Sequence, residues 1–144
     1  DLIIVDAYAQ EFYIPWTLTT QEFWGLVKEN LTPNGIMAIN VNSVSPSSRL
    51  LKSIANTMAS VFPNTYMTPI KDGNINYILT ASRQPLNFSN LASQTEAPEL
   101  QSLAWSYQDN TGKLVYDNSA MILTDDRAPV EFLTDSMALE YLKK

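Results

Sequence analysis

Two short apolar runs rich in β-branched residues, Leu2–Val5 (LIIV) and residues 36–41 (IMAINV), each precede a stretch with apolar residues at helical spacing. Runs of this kind are the pattern of strands buried on both faces, and such strands belong to parallel sheets flanked by helices. After the first run, residues 6–17 form a polar and aromatic loop. Thr19-x-x-Glu22 then reads as a capping box, in which hydroxyl and carboxylate satisfy the exposed N–H groups of a new helix. Phe23, Leu26, Val27 and Leu31 fall on one face of that helix, and Pro33-Asn34-Gly35 stops it. After the second run, Ser45 is placed to cap a helix with Pro46 at its first position. Leu51, Ile54, Met58 and Val61 or Phe62 continue an apolar stripe that Pro63 ends. Residues 65–69 and 75–81 read as strands around Lys71-Asp72-Gly73-Asn74, a turn containing Asp-Gly, and so as an antiparallel hairpin. The order β-α-β-α-β-β over residues 1–82 predicts an α/β sheet with right-handed crossovers.

Beyond Arg83 the pattern weakens. Residues 84–98, rich in Ser, Asn, Gln and Pro, read as an extended loop, and residues 99–107 as a short helix. Residues 114–116 and 121–123 are brief apolar stretches. Residues 137–142 predict a terminal helix, with Lys143 and Lys144 at its negative dipole end. A chain of 144 residues is about one domain. There is no repeat and no low-complexity segment, so residues 83–144 read as an irregular and helical extension packed on the unit formed by residues 1–82.

Composition narrows the chemistry. The chain has no cysteine and no histidine. Disulfides, thiolate catalysis, cysteine-ligated zinc, imidazole acid/base work and histidine metal ligation are therefore excluded for these residues. Carboxylates, hydroxyls, amides and aromatics remain. Nine basic residues against 15 acidic ones give a net charge of −6, which argues against nucleic acid as a partner, since that demands a positive footprint. No apolar run approaches the roughly 20 residues that span a bilayer. The sequence opens on Asp1 at the edge of a strand-like run, without an initiator Met or a signal-peptide n-region, as expected of a piece cut from a longer protein or designed to begin there.

Residues 1–20 (DLIIVDAYAQEFYIPWTLTT), the following FWGLVKENLTPNGIMAINV and residues 123–131 (LTDDRAPVE) together resemble spermidine synthase-like proteins. These are the polyamine aminopropyltransferases and their bacterial relatives, some fused to membrane transporter-like segments; LTDDRAPVE is the mark of that bacterial branch. The resemblance implies a class I methyltransferase-like fold, a seven-stranded doubly wound sheet. This chain would carry strands four to seven with flanking helices, an incomplete Rossmann-like sheet. The first three strands, and the Gly-rich loop that holds an adenosyl cofactor in relatives, would lie outside it. No G-x-G-x-x-G occurs among its four glycines. No cofactor is therefore expected in this chain, and decarboxylated S-adenosylmethionine or S-adenosylmethionine only in the parent protein.

The resemblance also implies roles for particular residues. The loop after strand four runs D-x-x-D in the family, with acids that grip the amines of the polyamine acceptor and help deprotonate the attacking one. Asp6 matches the first acid; the second position is Ala9, and Glu11 is the carboxylate that would substitute for it. A family tyrosine before the hairpin turn is replaced by Ile70. Asp6 and Glu11 are thus the candidate catalytic residues. Tyr8, Tyr13 and Trp16 are candidates for walling a substrate pocket, with a hydrophobic plug on the sheet as the plainer reading. Asp125-Asp126 reads as a helix-entry cap rather than a metal site, and Trp105 and Tyr107 as packing residues.

Three functions follow. The first is the C-terminal fragment of an adenosyl-nucleotide-dependent transferase, moving an aminopropyl group to a small-molecule amine in the parent and inactive alone. The second is a non-catalytic binding or regulatory domain, and the third a small-molecule methyltransferase. Without strand one beside it, Leu2–Val5 would present an unpaired edge, which predicts a homodimer through residues 2–5 or pairing with the missing N-terminal half. The segment is expected to be soluble, at the cytoplasmic face, with a parent that is membrane-associated.

Overall fold

Four of the predicted strands and both predicted crossover helices form where the apolar periods put them. The computed structural model describes residues 1–9, 12–70 and 76–142. Its strands are β1 (Leu2–Val5), β2 (Ile36–Asn42), β3 (Asn64–Ile70), β4 (Asn76–Ser82) and β5 (Gly112–Lys113). Its helices are α1 (Gln21–Asn30), α2 (Arg49–Val61), α3 (Leu91–Gln94), α4 (Gln101–Asn110) and α5 (Val130–Leu142). The strands make one open sheet in the order β1-β2-β4-β3-β5. β1 and β2 are parallel, with Leu2 opposite Ile36 and Val5 opposite Ile39. β4 runs antiparallel to both β2 and β3, so the hairpin folds back to insert its second strand beside β2. The result is a mixed, open α/β sheet. The Asp72-Gly73-Asn74 turn, Glu11 and Lys143-Lys144 lie outside the described residues.

Strand alternation sorts the two faces. Val5, Met37, Ile39, Val41, Leu79 and Ala81 point to the face that packs on α1, α2 and α5, and they join Trp24, Ile54, Met58 and Leu133 in one core. Tyr66, Thr68 and Thr80, on the opposite face, are also buried. Residues 84–111 cover them there: Tyr66 stacks edge-on against Phe88 with ring centroids 5.2 Å apart, and the hydroxyls of Thr68 and Thr111 meet at 2.7 Å. That cover stops short of β1. Leu2 is 61% exposed and Ile4 66% exposed, so β1 is buried on one face only, where its sequence predicts two.

Three local expectations shift. The cap of α1 is Thr20, whose hydroxyl accepts from the Phe23 N–H at 3.2 Å; Thr19 is occupied one residue earlier, donating to the Trp16 carbonyl. Its buried face is Trp24, Val27 and Leu31, leaving Leu26 60% exposed. The cap of α2 is Ser48 rather than Ser45, because the Ser45 carbonyl closes a turn by accepting from Ser48 N–H at 3.1 Å. α5 begins at Val130, seven residues ahead of its expected start, since Val130, Leu133, Thr134 and Met137 form its buried stripe. Among the described residues no helix is long and apolar enough to cross a membrane.

Candidate functional site

Asp6 follows β1 directly, at the carboxyl end of a strand in an open α/β sheet, where such folds bind ligands. Beside it on β2 stands Asn40, whose Nδ2 donates to Asp6 Oδ1 at 3.4 Å. The other end of that amide is an anomaly: Asn40 Oδ1 is buried and accepts from nothing among the described residues. An unsatisfied buried acceptor costs about 1–3 kcal/mol, so its placement next to a carboxylate is a feature of the site rather than of the core. Asp6 and Asn40 face a cavity of about 210 Å³ whose remaining walls include Ile4, Ala38, Ile70 and Ile78. Ile70 is therefore an apolar wall of this cavity.

Tyr8 holds the loop down. Its hydroxyl donates to the Asn40 carbonyl and accepts from the Asn42 N–H, both at 2.9 Å. Burial pushes the phenol up to about 12, with the Asp6 charge adding to the shift and the Asn42 N–H opposing it. Both hydrogen bonds of the hydroxyl thus go to β2 and tie the loop that carries Asp6 to the sheet. Two consequences can be measured. Tyr8→Phe should cost about 1–3 kcal/mol, since it strands the Asn42 N–H. The unfolded chain ionises this phenol from about pH 10 and the folded chain only near 12, so the unfolded state binds fewer protons in that window. Stability should fall as pH rises from 10 to 12, and urea titrations at both ends should show a smaller fall in Tyr8→Phe.

The chain then doubles back. Ala9 and Tyr13 exchange backbone hydrogen bonds of 2.7 and 3.0 Å, which turns the Tyr13 ring toward α5. There its hydroxyl donates to Asp135 Oδ1 at 2.6 Å. The hydrogen bond and charge of Asp135, with Glu131 adding, raise the Tyr13 pKa. Ala9, Tyr13, Glu131 and Asp135 line one cleft of about 310 Å³. Next to it a groove of about 450 Å³ runs between Phe12, Val44, Met137, Ala138 and Tyr141, with Asp135 at its edge. α5 thus brings two carboxylates, Glu131 and Asp135, to the cleft that Ala9 lines. Trp16 lines none of these cavities; it sits in the short turn Trp16–Leu18.

Asp125 belongs to a clamp. Leu123, fully buried, donates its N–H to Thr57 Oγ1 at 2.9 Å and accepts from Gln21 N–H at 2.8 Å. Glu22 accepts from the Asp125 N–H at 3.1 Å, so the carboxylate expected to complete a capping box ties α1 to the LTDDRAPVE segment. Among the described residues no group of three acids is arranged to hold a metal ion. The sequence reading passed over Asn40, Glu131 and Asp135. Asn40 carried a signal, a lone amide inside an apolar strand; Asp135 carried none beyond its i,i+4 spacing from Glu131.

No family model matches the chain. A probable polyamine aminopropyl transferase of Bifidobacterium longum is 30% identical over 92% of this chain, which spans 34% of that protein's length. A crystal structure of a probable spermidine synthase from Corynebacterium glutamicum superposes with a TM-score of 0.59 at 21% identity, covering 87% of this chain and 47% of that one. The chain thus spans a third to a half of the proteins it matches.

Proposed function

Because the chain is spermidine synthase-like in sequence and in fold, we propose that it is the acceptor-side part of an adenosyl-nucleotide-dependent transferase, in which Asp6 binds and deprotonates an amine. The observation that carries this reading is the pair Asp6 and Asn40: a carboxylate and a buried amide oxygen without a partner among the described residues, side by side where β1 ends beside β2. Both are acceptors, and an ammonium group is a compact set of donors. Asp6 pairs with the ammonium and takes one of its protons, leaving the nitrogen lone pair for attack. Asn40 fixes the carboxylate through Nδ2, and Tyr8 fixes the loop. Glu11, the other catalytic candidate, is two residues beyond Ala9 on the same loop.

The described residues do not fit an adenosyl group. Gly25 lies within α1, Gly112 forms part of β5, and at Gly35 an added Cβ would come within 2.7 Å of Leu31 Cδ2. None of these three opens a helix after a strand, as a nucleotide-binding turn requires. The reading therefore gives this chain the amine and leaves the nucleotide to the parent protein.

The test is an assay of the full-length protein with primary amines and, in parallel, decarboxylated and ordinary S-adenosylmethionine. Transfer of an aminopropyl group upholds the reading, and methyl transfer replaces it with the methyltransferase reading. Amine binding without turnover would favour a regulatory domain, the alternative that Ala9 and Ile70 speak for.

The exposed edge of β1 belongs to the same proposal. Its outer hydrogen-bonding side, unpaired among the described residues, pairs with a strand from outside these residues, supplied by the N-terminal half in a longer protein and by a second copy in the isolated chain. Light scattering on the 144-residue chain at tens of micromolar should give a dimer mass, and Ile4→Lys a monomer. A monomeric unsubstituted chain would overturn this.

A further inference from the structure

The groove of about 450 Å³ between the loop after β1 and α5 is elongated along the helix. Thr134, Met137, Ala138 and Tyr141 form its helical wall, with Phe12 and Val44 completing the lining. The seven-residue step from Thr134 to Tyr141 is about 10 Å of helix, so the groove spans two turns. Phe12, Tyr141 and the neighbouring Leu142 are exposed. The polar groups in the wall are engaged: the Thr134 hydroxyl donates to the Val130 carbonyl, and the Asn42 N–H donates to Tyr8. Its charge is one-sided. Asp135 lines the groove, and Glu131, one turn earlier, shares the adjoining cleft with it. Tyr13 donates to Asp135 Oδ1 at 2.6 Å and fixes that carboxylate at the junction. No basic side chain lines the groove or that cleft among the described residues. At the other end Glu140 shares a cavity with Arg49, and the sequence runs on from Leu142 into Lys143-Lys144. The net negative charge therefore lies at the Glu131–Asp135 end.

We propose that this groove docks a basic amphipathic helix of a partner protein. The partner lays apolar anchors one to two turns apart between Phe12 and Tyr141 and sets a Lys or Arg against Glu131 and Asp135. Helices that bind grooves present apolar anchors at i, i+3, i+4 and i+7, and a two-turn groove matches that span. Charge selects among occupants of the right shape. A cationic side chain gains charge-assisted hydrogen bonds from the two carboxylates. An anionic lipid surface would meet them with like charge, and a second copy of the chain brings a further net charge of −6. None of these residues lines the Asp6 cavity, so docking here and amine binding there are separate events.

Three fluorescein-labelled peptides of about 18 residues, five helical turns, test it by anisotropy. The first repeats Leu at i, i+3, i+4 and i+7 with Lys between, the second has Glu in place of Lys, and the third scrambles the first. Each is titrated into the full-length protein and into the 144-residue chain. The Lys peptide should bind both proteins at least about tenfold more tightly than either of the others. The scramble keeps the charge without an apolar face, and the Glu peptide keeps the face without the charge. Amide spectra of the 144-residue chain should shift at Phe12, Tyr13 and residues 134–142. Ala138→Arg, at an exposed position in the groove wall, should weaken binding at least about tenfold, and Asp135→Lys about three- to tenfold. Asp109→Lys makes the same charge change on exposed α4, away from the groove, and should alter binding by less than about twofold. Circular dichroism should be the same for all three variants. Equal binding of a control peptide, Ala138→Arg or Asp135→Lys binding as tightly as the parent, or no binding at all would overturn the proposal. So would binding to the 144-residue chain but not to the full-length protein, which would make another part of that protein the occupant. A dimer of the chain that Ala138→Arg dissolves would make the occupant a second copy and overturn it equally.

Discussion

Asp6→Asn in the full-length protein should lower kcat/KM for transfer to an amine by about 10²- to 10⁴-fold, the range associated with losing a positioned general base. The substitution is nearly isosteric, and an amide oxygen at this position can still accept from Asn40 Nδ2, so the loop and the strand ends keep their geometry. What it removes is the negative charge that pairs with an ammonium and the site that takes its proton. The two losses separate kinetically. A base that acts in the transition state lowers kcat and kcat/KM together, whereas a mere binding contact raises KM at constant kcat. Asn40→Ala is the companion variant. It removes both the tether on Asp6 and the orphaned oxygen, so it should lower activity less than Asp6→Asn. It should also lower it more at pH values where the amine is mostly protonated. An Asp6→Asn enzyme with unchanged kcat/KM would end the amine-transferase reading.

The parts of this molecule that follow from local pattern were legible before any coordinates, and the parts that depend on distant residues were not. Leu2–Val5 and residues 36–41 declared parallel strands because an apolar, β-branched run has few other uses. The hairpin followed from two strands around Asp-Gly, and the position of Asp6 at a strand end followed from the first strand. The caps were misread by one and three residues because Thr19, Thr20, Ser45 and Ser48 are all competent caps; tertiary contacts, with the Trp16 carbonyl and within the turn ending at Ser48, decide among them. The start of α5 was hidden because its buried stripe includes Thr134, which satisfies its hydroxyl within the helix and so tolerates burial. β1 misled in the opposite sense: its run is apolar enough for two buried faces, but residues 84–111 cover only the β3 and β4 side of the second. The Tyr13–Asp135 contact joins residues 122 positions apart, a pairing that no spacing rule reaches.

Trp24 should dominate the stability of the chain, and in an unusual way. It is fully buried, lies edge-on to Phe23 with centroids 4.8 Å apart, and faces the core shared by α1, α2 and β2. Trp24→Ala removes the largest buried side chain and should cost about 3–5 kcal/mol, a large fraction of the 5–15 kcal/mol that holds a domain together. Yet the indole Nε1 is buried without an acceptor among the described residues, and such a donor destabilises the native state by about 1–3 kcal/mol. Trp24→Phe keeps most of the ring contacts and deletes that donor. Its gain offsets much of the volume it gives up, so it should cost less than about 1.5 kcal/mol, comparable to a well-tolerated core exchange. Urea denaturation resolves the two, provided the slopes match, since a shift in midpoint at constant slope is a change in stability. A phenylalanine variant as unstable as the alanine one would mean that the indole N–H is satisfied in solution. A phenylalanine variant near the parent would mean that this core retains tryptophan for its area and carries the orphaned N–H as a standing penalty.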